Sequence, residues 1–373
     1  MRNSVLLSKL RLVSGLVLMT FVAGHLVNAA LGLVSLQTME DWRVVLMRPW
    51  LTLPGQVLLY GALVVHAGLG ILSILRRPRL TLTRKDFAQI AFGLLIPALL
   101  AAHLLATRVA GLLADFQPGY SWILTVYWKW APNYGLQQVF LVAVVWAHGC
   151  IGMLSWLNLR PWWPRIAAFA YPPVFALPIL ALLGFVHAGD EVLARLSNDA
   201  AFKAMVHEAA QKGAPVAPTL LAWQHGLLVA YALVVAVTLA PGAWRVLRSR
   251  FAAATAASIR YVDGPIVTAA VGSTLLDASR RHHVPHSAVC SGHARCGTCR
   301  VRITAPPGVL SPPSADEMHL LRHLHAGDAV RLACRATILR PVSFTLERLV
   351  PVEIADAAAR GEALPSGGTE AVS

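Results

Sequence analysis

VLLYGALVVHAGLGILSIL, residues 57–75, is an apolar run interrupted by one ionisable side chain, His66, and followed at once by Arg76 and Arg77. As a helix rising about 1.5 Å per residue it is about 28 Å long, close to the thickness of a bilayer's hydrocarbon core. A helix on a soluble core keeps one polar face, and this run has none. Five further stretches read the same way: Leu12 to Val34, Phe87 to Val109, Leu136 to Leu157, Ala167 to His187 and Thr219 to Leu239. The composition agrees, because 56% of the 373 residues are apolar and 13% charged, against roughly 45–50% and 25% in soluble domains. From about Ser249 the pattern changes to short alternating runs with charges throughout, the mark of a separate soluble domain.

The first apolar run is too long for a signal peptide and has no small-residue cleavage site behind it, so it is expected to remain as an anchor. Thirteen Lys and Arg flank the spans on the side that carries both chain ends, against seven on the other side. Cytoplasmic loops hold this excess, which predicts both termini and the soluble domain inside. Much of the +14 charge is then a topology signal with affinity for anionic head groups, and a nucleic-acid partner is not expected. The chain also repeats itself. HAGLGILSIL starts at His66 and HGCIGMLSWL at His148, and Gly15 precedes His25 by the interval that separates Gly93 from His103. A duplicated two-helix hairpin accounts for both coincidences.

Each span carries one histidine: His25, His66, His103, His148, His187 and His225. Ionisable groups in the hydrocarbon are costly and mark functional sites. No Asp, Glu or Lys lies deep in the spans to support a proton relay, which leaves metal, and histidines from facing helices are a common way to hold haem iron from both sides. His25 and His103 fall in the outer half of the bilayer, His66 and His148 at mid-depth or slightly inward. In an up-down bundle this predicts two stacked bis-histidine haems b, an outward pair His25–His103 and an inward pair His66–His148. Gly24, Gly68, Gly70, Gly149 and Gly152 would give the macrocycles room. His187 and His225 are a weaker third pair, read first as interfacial residues.

In the soluble part, two alternating runs joined by Asp263-Gly264 read as a hairpin, and Ser273 is expected to cap a helix running to about His282. Cys290, Cys296, Cys299 and the distant Cys334 follow, a C-x5-C-x2-C…C arrangement. Three thiolates on one loop and a fourth from a later element can wrap a [2Fe-2S] cluster, and Gly292 and Gly297 let the backbone approach it. Structural zinc typically uses two close cysteine pairs, and Cys334 has no neighbour of its kind. The Cys-x-His spacing of a Rieske centre is absent. Cys150 reads as a packing residue, and His282, His283, His286, His293, His319, His323 and His325 as solvated side chains. Neither G-x-G-x-x-G after a strand nor a phosphate-binding G-x-x-x-x-G-K-[ST] occurs, so no nucleotide chemistry is expected.

Ser8-Lys-Leu-Arg-Leu-Val-Ser-Gly15 and the glycine-rich continuation of His66 resemble the cytochrome b anchors of succinate:quinone oxidoreductases, whose dihaem members have four histidine ligands and exchange electrons with quinone. That resemblance implies quinone contacts at Ser8 and Arg11, although the family's arginine position is occupied here by Leu12. Residues 256 to 350 resemble the adrenodoxin-type [2Fe-2S] ferredoxins, with a β-grasp fold. Eleven Arg against six acidic residues make this domain basic, which suits the chain's own membrane face or an acidic partner. Anchor and ferredoxin in this order resemble the front portion of bacterial six-helix dihaem-b class III adenylate cyclases. The expected architecture is an all-α six-helix transmembrane bundle over 1–248, a small α+β ferredoxin domain over 249–350, and a disordered tail over 351–373 with no cyclase domain. The expected function is electron transfer between quinone, two haems b and the cluster. A redox sensor acting on a partner or effector is the alternative.

Overall fold

The computed structural model describes residues 2–76, 83–114, 118–251, 256–290 and 292–351; all but the first residue of the tail expected at 351–373 lies outside these. Six helices are long and apolar enough to cross a membrane: Leu6–Leu33, Leu53–Leu75, Arg84–Leu113, Pro132–Leu157, Trp163–Asn198 and Ala200–Trp244. They are built on α1 (Arg2–Ala30), α3 (Leu53–Leu75), α4 (Arg84–Leu104), α7 (Pro132–Leu157), α8 (Trp163–Asn198) and α10 (Ala217–Phe251), the third running on past α4 and the last taking in the helix that precedes α10. Their outward faces are apolar and bare, with Leu53, Phe169, Phe175 and Val237 among the exposed side chains. Such a surface is what lipid covers.

The connections are more structured than the hydropathy pattern foretells. Between α1 and α3 lies α2 (Leu36–Leu51), capped by Ser35, whose hydroxyl accepts from the Thr38 N–H at 3.0 Å. Beyond α4 a π-helical turn, Leu105–Val109, leads into α5 (Ala110–Leu113), and α6 (Tyr120–Thr125) runs through a second π turn, Val126–Trp130. A further helix, α9 (Ala200–Gly213), stands between α8 and α10 and is capped by Asp199. These pieces form a small core of Leu36, Met39, Leu124, Ala188, Val192, Phe202 and Val206 at one end of the bundle. Two carboxylates fasten it: Glu191 accepts from the Leu36 N–H at 2.6 Å and Glu40 from the Tyr120 N–H at 2.7 Å. The helices α1 and α8 cross closely because Gly32 and Gly184 leave no side chain between them, and a Cβ on Gly32 would stand 2.5 Å from the Gly184 carbonyl oxygen.

The second unit is a five-stranded mixed sheet of order β2-β1-β5-β3-β4 with two short helices. Its strands are β1 (Ala256–Tyr261), β2 (Ile266–Ala270), β3 (Arg300–Thr304), β4 (Val330–Leu332) and β5 (Phe344–Arg348), and its helices α11 (Leu275–Arg281) and α12 (Ala315–His323). The expected hairpin is present: β1 and β2 are antiparallel around Asp263-Gly264, with Ile259 opposite Val267. Strand β5 lies parallel to β1 and antiparallel to β3. Alternate residues Ala257, Ile259 and Tyr261 point inward onto Leu275, Leu276, Val301, Leu332 and Leu346. The cap of α11 is Thr274 rather than Ser273, because only Thr274 forms a reciprocal box with Asp277. Glu317, fully buried on α12, accepts from Nε and Nη2 of the Arg331 guanidinium and from the Leu332 N–H, tying the helix to β4.

Candidate functional site

Two pairs of histidines face each other inside the bundle. The His25 ring on α1 lies 6.0 Å from the His103 ring on α4, centroid to centroid, with the planes 69° apart. The His66 ring on α3 lies 6.2 Å from the His148 ring on α7, at 84°. A metal bonded to two imidazole nitrogens at about 2.0 Å each holds the ring centroids about 6.3 Å apart when the bonds are collinear. Both separations therefore leave room for one ion between the rings.

The inward pair is oriented by the helices that flank it. His66 Nδ1 lies 3.1 Å from the Arg11 carbonyl oxygen and His148 Nδ1 lies 3.2 Å from that of Gln89. A carbonyl only accepts, so each Nδ1 carries the proton and each Nε2 keeps a free lone pair, the tautomer a metal ligand needs. The two arrangements are copies: Arg11 stands four residues before Gly15 and Gln89 four before Gly93, and a Cβ on either glycine would come within 2.9 Å of the Cε1 of the histidine concerned. The Gln89 amide nitrogen faces His148 Nε2 at 3.4 Å. The outward pair is set differently. Phe21 stacks on His25 at 5.9 Å, Trp50 closes over Phe21, and the buried Nδ1 of His103 has no hydrogen-bond partner among the described residues.

The glycines expected to flank a macrocycle divide. Gly68 and Gly70 have nothing within 4 Å of a notional Cβ, and Gly149 and Gly152 face Met19 and Gln89. Contact with the histidines falls instead to Gly15 and Gly93, which sequence reading had used only as markers of the repeat. His187 hydrogen-bonds through Nδ1 to the Gly32 carbonyl at 2.9 Å, and His225 is exposed on α10. Among the described residues neither makes a ring contact with another histidine. Ser8 is exposed on α1, while Arg11, one turn on, has its carbonyl engaged by His66 and by the Ser14 hydroxyl.

The four cysteines gather at one edge of the sheet domain as two pairs. The Cys299 and Cys334 sulfurs lie 3.4 Å apart, and Cys296 Sγ accepts from the Cys290 N–H at 3.4 Å. Two thiolates on one tetrahedral iron stand roughly 3.7 Å apart for bonds near 2.3 Å. Two such pairs suit a two-iron cluster with two protein ligands per iron, and among the described residues no three His, Cys, Asp or Glu side chains converge as they would on a single ion. The loop follows the sequence reading: Gly292 and Gly297 adopt φ of +82° and +68°, and Ala294 joins them at +54°. Hydrogen bonding within each pair shares a proton unevenly, so the Cys290 and Cys334 thiols are held below their usual range and those of Cys296 and Cys299 above it. Thr298 reaches Cys296 Sγ at 3.0 Å while accepting from the Val289 N–H. Its own hydroxyl proton is thus free to point at sulfur.

Two histidines expected to be solvated have side-chain partners, although the His293 side chain stays 36% exposed. His286 is hydrogen-bonded to Ser279, which also meets the Tyr261 hydroxyl, and burial pulls its imidazole down to about 4, so it stays neutral. His293, in the cysteine loop, reaches Asp86 at the start of α4. Neither could be told from its sequence neighbours, because both depend on tertiary partners.

A multi-pass helical bundle joined to a small sheet domain with four clustered cysteines defines a membrane-associated protein with a ferredoxin-type domain. Residues 261–339 match the Fer2 family, the 2Fe-2S iron-sulfur cluster binding domain. No curated protein and no solved structure matches the chain. The match covers all four cysteines, and the domain supports a [2Fe-2S] cluster and an iron-sulfur role in electron transfer.

Proposed function

We propose that the chain is a membrane-bound electron carrier that passes electrons between quinone, two haems b and a [2Fe-2S] cluster on the cytoplasmic side of a bacterial inner membrane. The observation that carries this reading is the pairing of four intramembrane histidines at ring separations of 6.0 and 6.2 Å in the same chain as a Fer2 domain. Haem iron and an iron-sulfur cluster each supply a reversible one-electron change. The chain's residues do the holding. Cys290, Cys296, Cys299 and Cys334 would bind the cluster, His66 and His148 the inward iron, and His25 and His103 the outward one. The carbonyls of Arg11 and Gln89 fix the ligand tautomer of the inward pair, and the small core built from α2, α6 and α9 screens one end of the bundle. Quinone is assigned to the cytoplasmic end of α1, at Ser8 and Arg11. The unit of residues 1–248 is the anchor and that of 249–350 the cytoplasmic domain.

The test is a dithionite-reduced minus oxidised spectrum of the purified chain with pyridine haemochrome quantitation, then a quinol analogue in place of dithionite. Two haems per chain, reduced by quinol, are expected. A preparation with full cluster iron and no Soret band overturns the haem assignment. Redox-dependent affinity for an effector protein without quinol turnover would make the chain a sensor instead.

A further inference from the structure

The cysteine loop and the inward histidine pair meet at one seam. His293 Nδ1 donates to the Cys290 carbonyl at 2.6 Å, and its Nε2 faces Asp86 Oδ1 at 3.6 Å. Asp86 is 4% exposed in the first turn of α4, where it shares a capping box with Thr83. One turn further along α4 is Gln89, whose carbonyl takes the Nδ1 proton of His148. Arg295, from the same cysteine loop, lies near enough to Lys85 on α4 and to Arg11 on α1 for their like charges to repel it, and the Arg11 carbonyl takes the Nδ1 proton of His66. Helix α12 also touches α1. The turns that orient both inward histidines are therefore the turns on which the cysteine loop rests.

We propose that this seam is the electron-transfer junction of the molecule, linking the cysteine site to the inward pair ahead of the outward pair, with His293 on Asp86 as the positioning contact. The inference rests on the haem reading of the histidine pairs. With both groups bound, one electron would leave the reduced cluster and enter the haem held by His66 and His148, with no bond made or broken. Transfer between fixed centres falls exponentially with separation, so a contact that seats one ligand loop on the other's supporting turn controls the rate without touching either iron. Asp86 holds a nearly buried carboxylate at the seam, which favours a cationic or hydrogen-bonding partner over solvent-exposed alternatives.

The test uses the full chain in lipid nanodiscs with His293→Ala and His293→Gln. Hydrogen–deuterium exchange reads the contact whatever the cofactor content. His293→Ala is expected to raise exchange over 290–299 and over 84–89 together, and His293→Gln to leave both nearer the parent. A rise confined to 290–299 overturns the contact. After rapid reduction of the cluster, haem reduction at the Soret band is expected to slow at least tenfold in His293→Ala, with the cluster's EPR signal and iron content unchanged, and to recover in part in His293→Gln. An unchanged rate, or an outward haem reduced first, overturns the junction and leaves the haem reading intact. Absence of a Soret band from the parent overturns both. Asp86→Asn, outside the cysteine loop, is the second variant and is expected to slow transfer likewise; a parent-like rate there overturns the role of His293 even where His293→Ala loses its cluster.

Discussion

Replacing Gly93 by alanine tests whether the inward histidines are seated on bare backbone. An alanine Cβ would stand 2.9 Å from His148 Cε1 and 3.3 Å from Nδ1, where a comfortable carbon contact is about 3.5–4.0 Å. The ring must retreat by roughly 0.7 Å, and the Nδ1 bond to the Gln89 carbonyl, already 3.2 Å long, then breaks. Overpacking costs about 1–3 kcal/mol and the lost orienting bond about 0.5–1.5 kcal/mol. The gain in helix propensity on replacing glycine, about 1 kcal/mol, offsets part of this in overall stability but does nothing for the ligand. Loss of a hydrogen bond that orients a metal-bound histidine lowers metal affinity about 10–100-fold, and under the proposed function the affinity of the His66–His148 pair for haem is expected to fall by that factor. Pyridine haemochrome per chain after detergent washing reads the loss. Gly15→Ala should reproduce it through His66, whose Cε1 is also 2.9 Å away. Gly68→Ala and Gly70→Ala, with nothing within 4 Å, should keep both haems. Full haem content and an unshifted α band in Gly93→Ala, or an equal loss in Gly68→Ala, would refute the reasoning.

Further outcomes follow from the sheet domain. Glu317→Ala leaves Arg331 and the Leu332 N–H without their buried acceptor and should destabilise the domain by about 3–5 kcal/mol, seen as a lower midpoint in denaturant; a change under 1 kcal/mol would contradict the geometry. Thr298→Val removes the hydroxyl facing Cys296 Sγ. If that bond favours the reduced cluster by about 1 kcal/mol, the potential should drop by about 40 mV in an EPR-monitored titration, and a rise would reverse the assigned donor. Gly297→Ala meets two obstacles, a φ of +68° and collision with Leu324 Cδ1, so cluster iron should fall while the bundle's thermal transition is kept. Burial pushes the Tyr261 phenol above its ordinary range. Its stabilising contribution is complete below the ordinary phenol pKa of about 10 and is lost as pH rises toward the folded value; Tyr261→Phe should flatten that alkaline limb.

What the sequence revealed and what it hid divide along physical lines. The spans were legible because lipid demands an unbroken apolar run, and the β1–β2 hairpin because Asp263-Gly264 suits a tight turn. Helix ends were less so: α8 continues to Asn198 through Asp190, Glu191 and Arg195, since hydropathy marks where lipid ends and not where the helix does. Helix α2 was missed because Glu40, Asp41, Arg43 and Arg48 obscure its apolar face, which packs on the outer core rather than into lipid. The cysteine spacing marked the ligand loop, but His293 and His286 looked like other polar loop residues. Their partners are Asp86, on a distant helix, and Ser279 on α11, seven residues before His286.

The duplication explains why the bundle can hold two pairs in register. Each repeat supplies a long helix with a glycine in its first half and a histidine ten residues on, followed by a helix with a histidine near its middle. Packing the first helix of each repeat against its own successor, α1 on α3 and α4 on α7, seats each inward histidine on its own repeat's glycine and carbonyl. Bringing the two repeats together then apposes like with like, His25 to His103 and His66 to His148. Orientation of His66 and His148 is thus settled within a repeat, and only the spacing between the paired rings depends on the pairing of repeats. A substitution at a glycine seat should therefore act through one histidine of the inward pair and leave the outward pair spectroscopically intact, whereas one that shifts the two repeats should disturb both pairs.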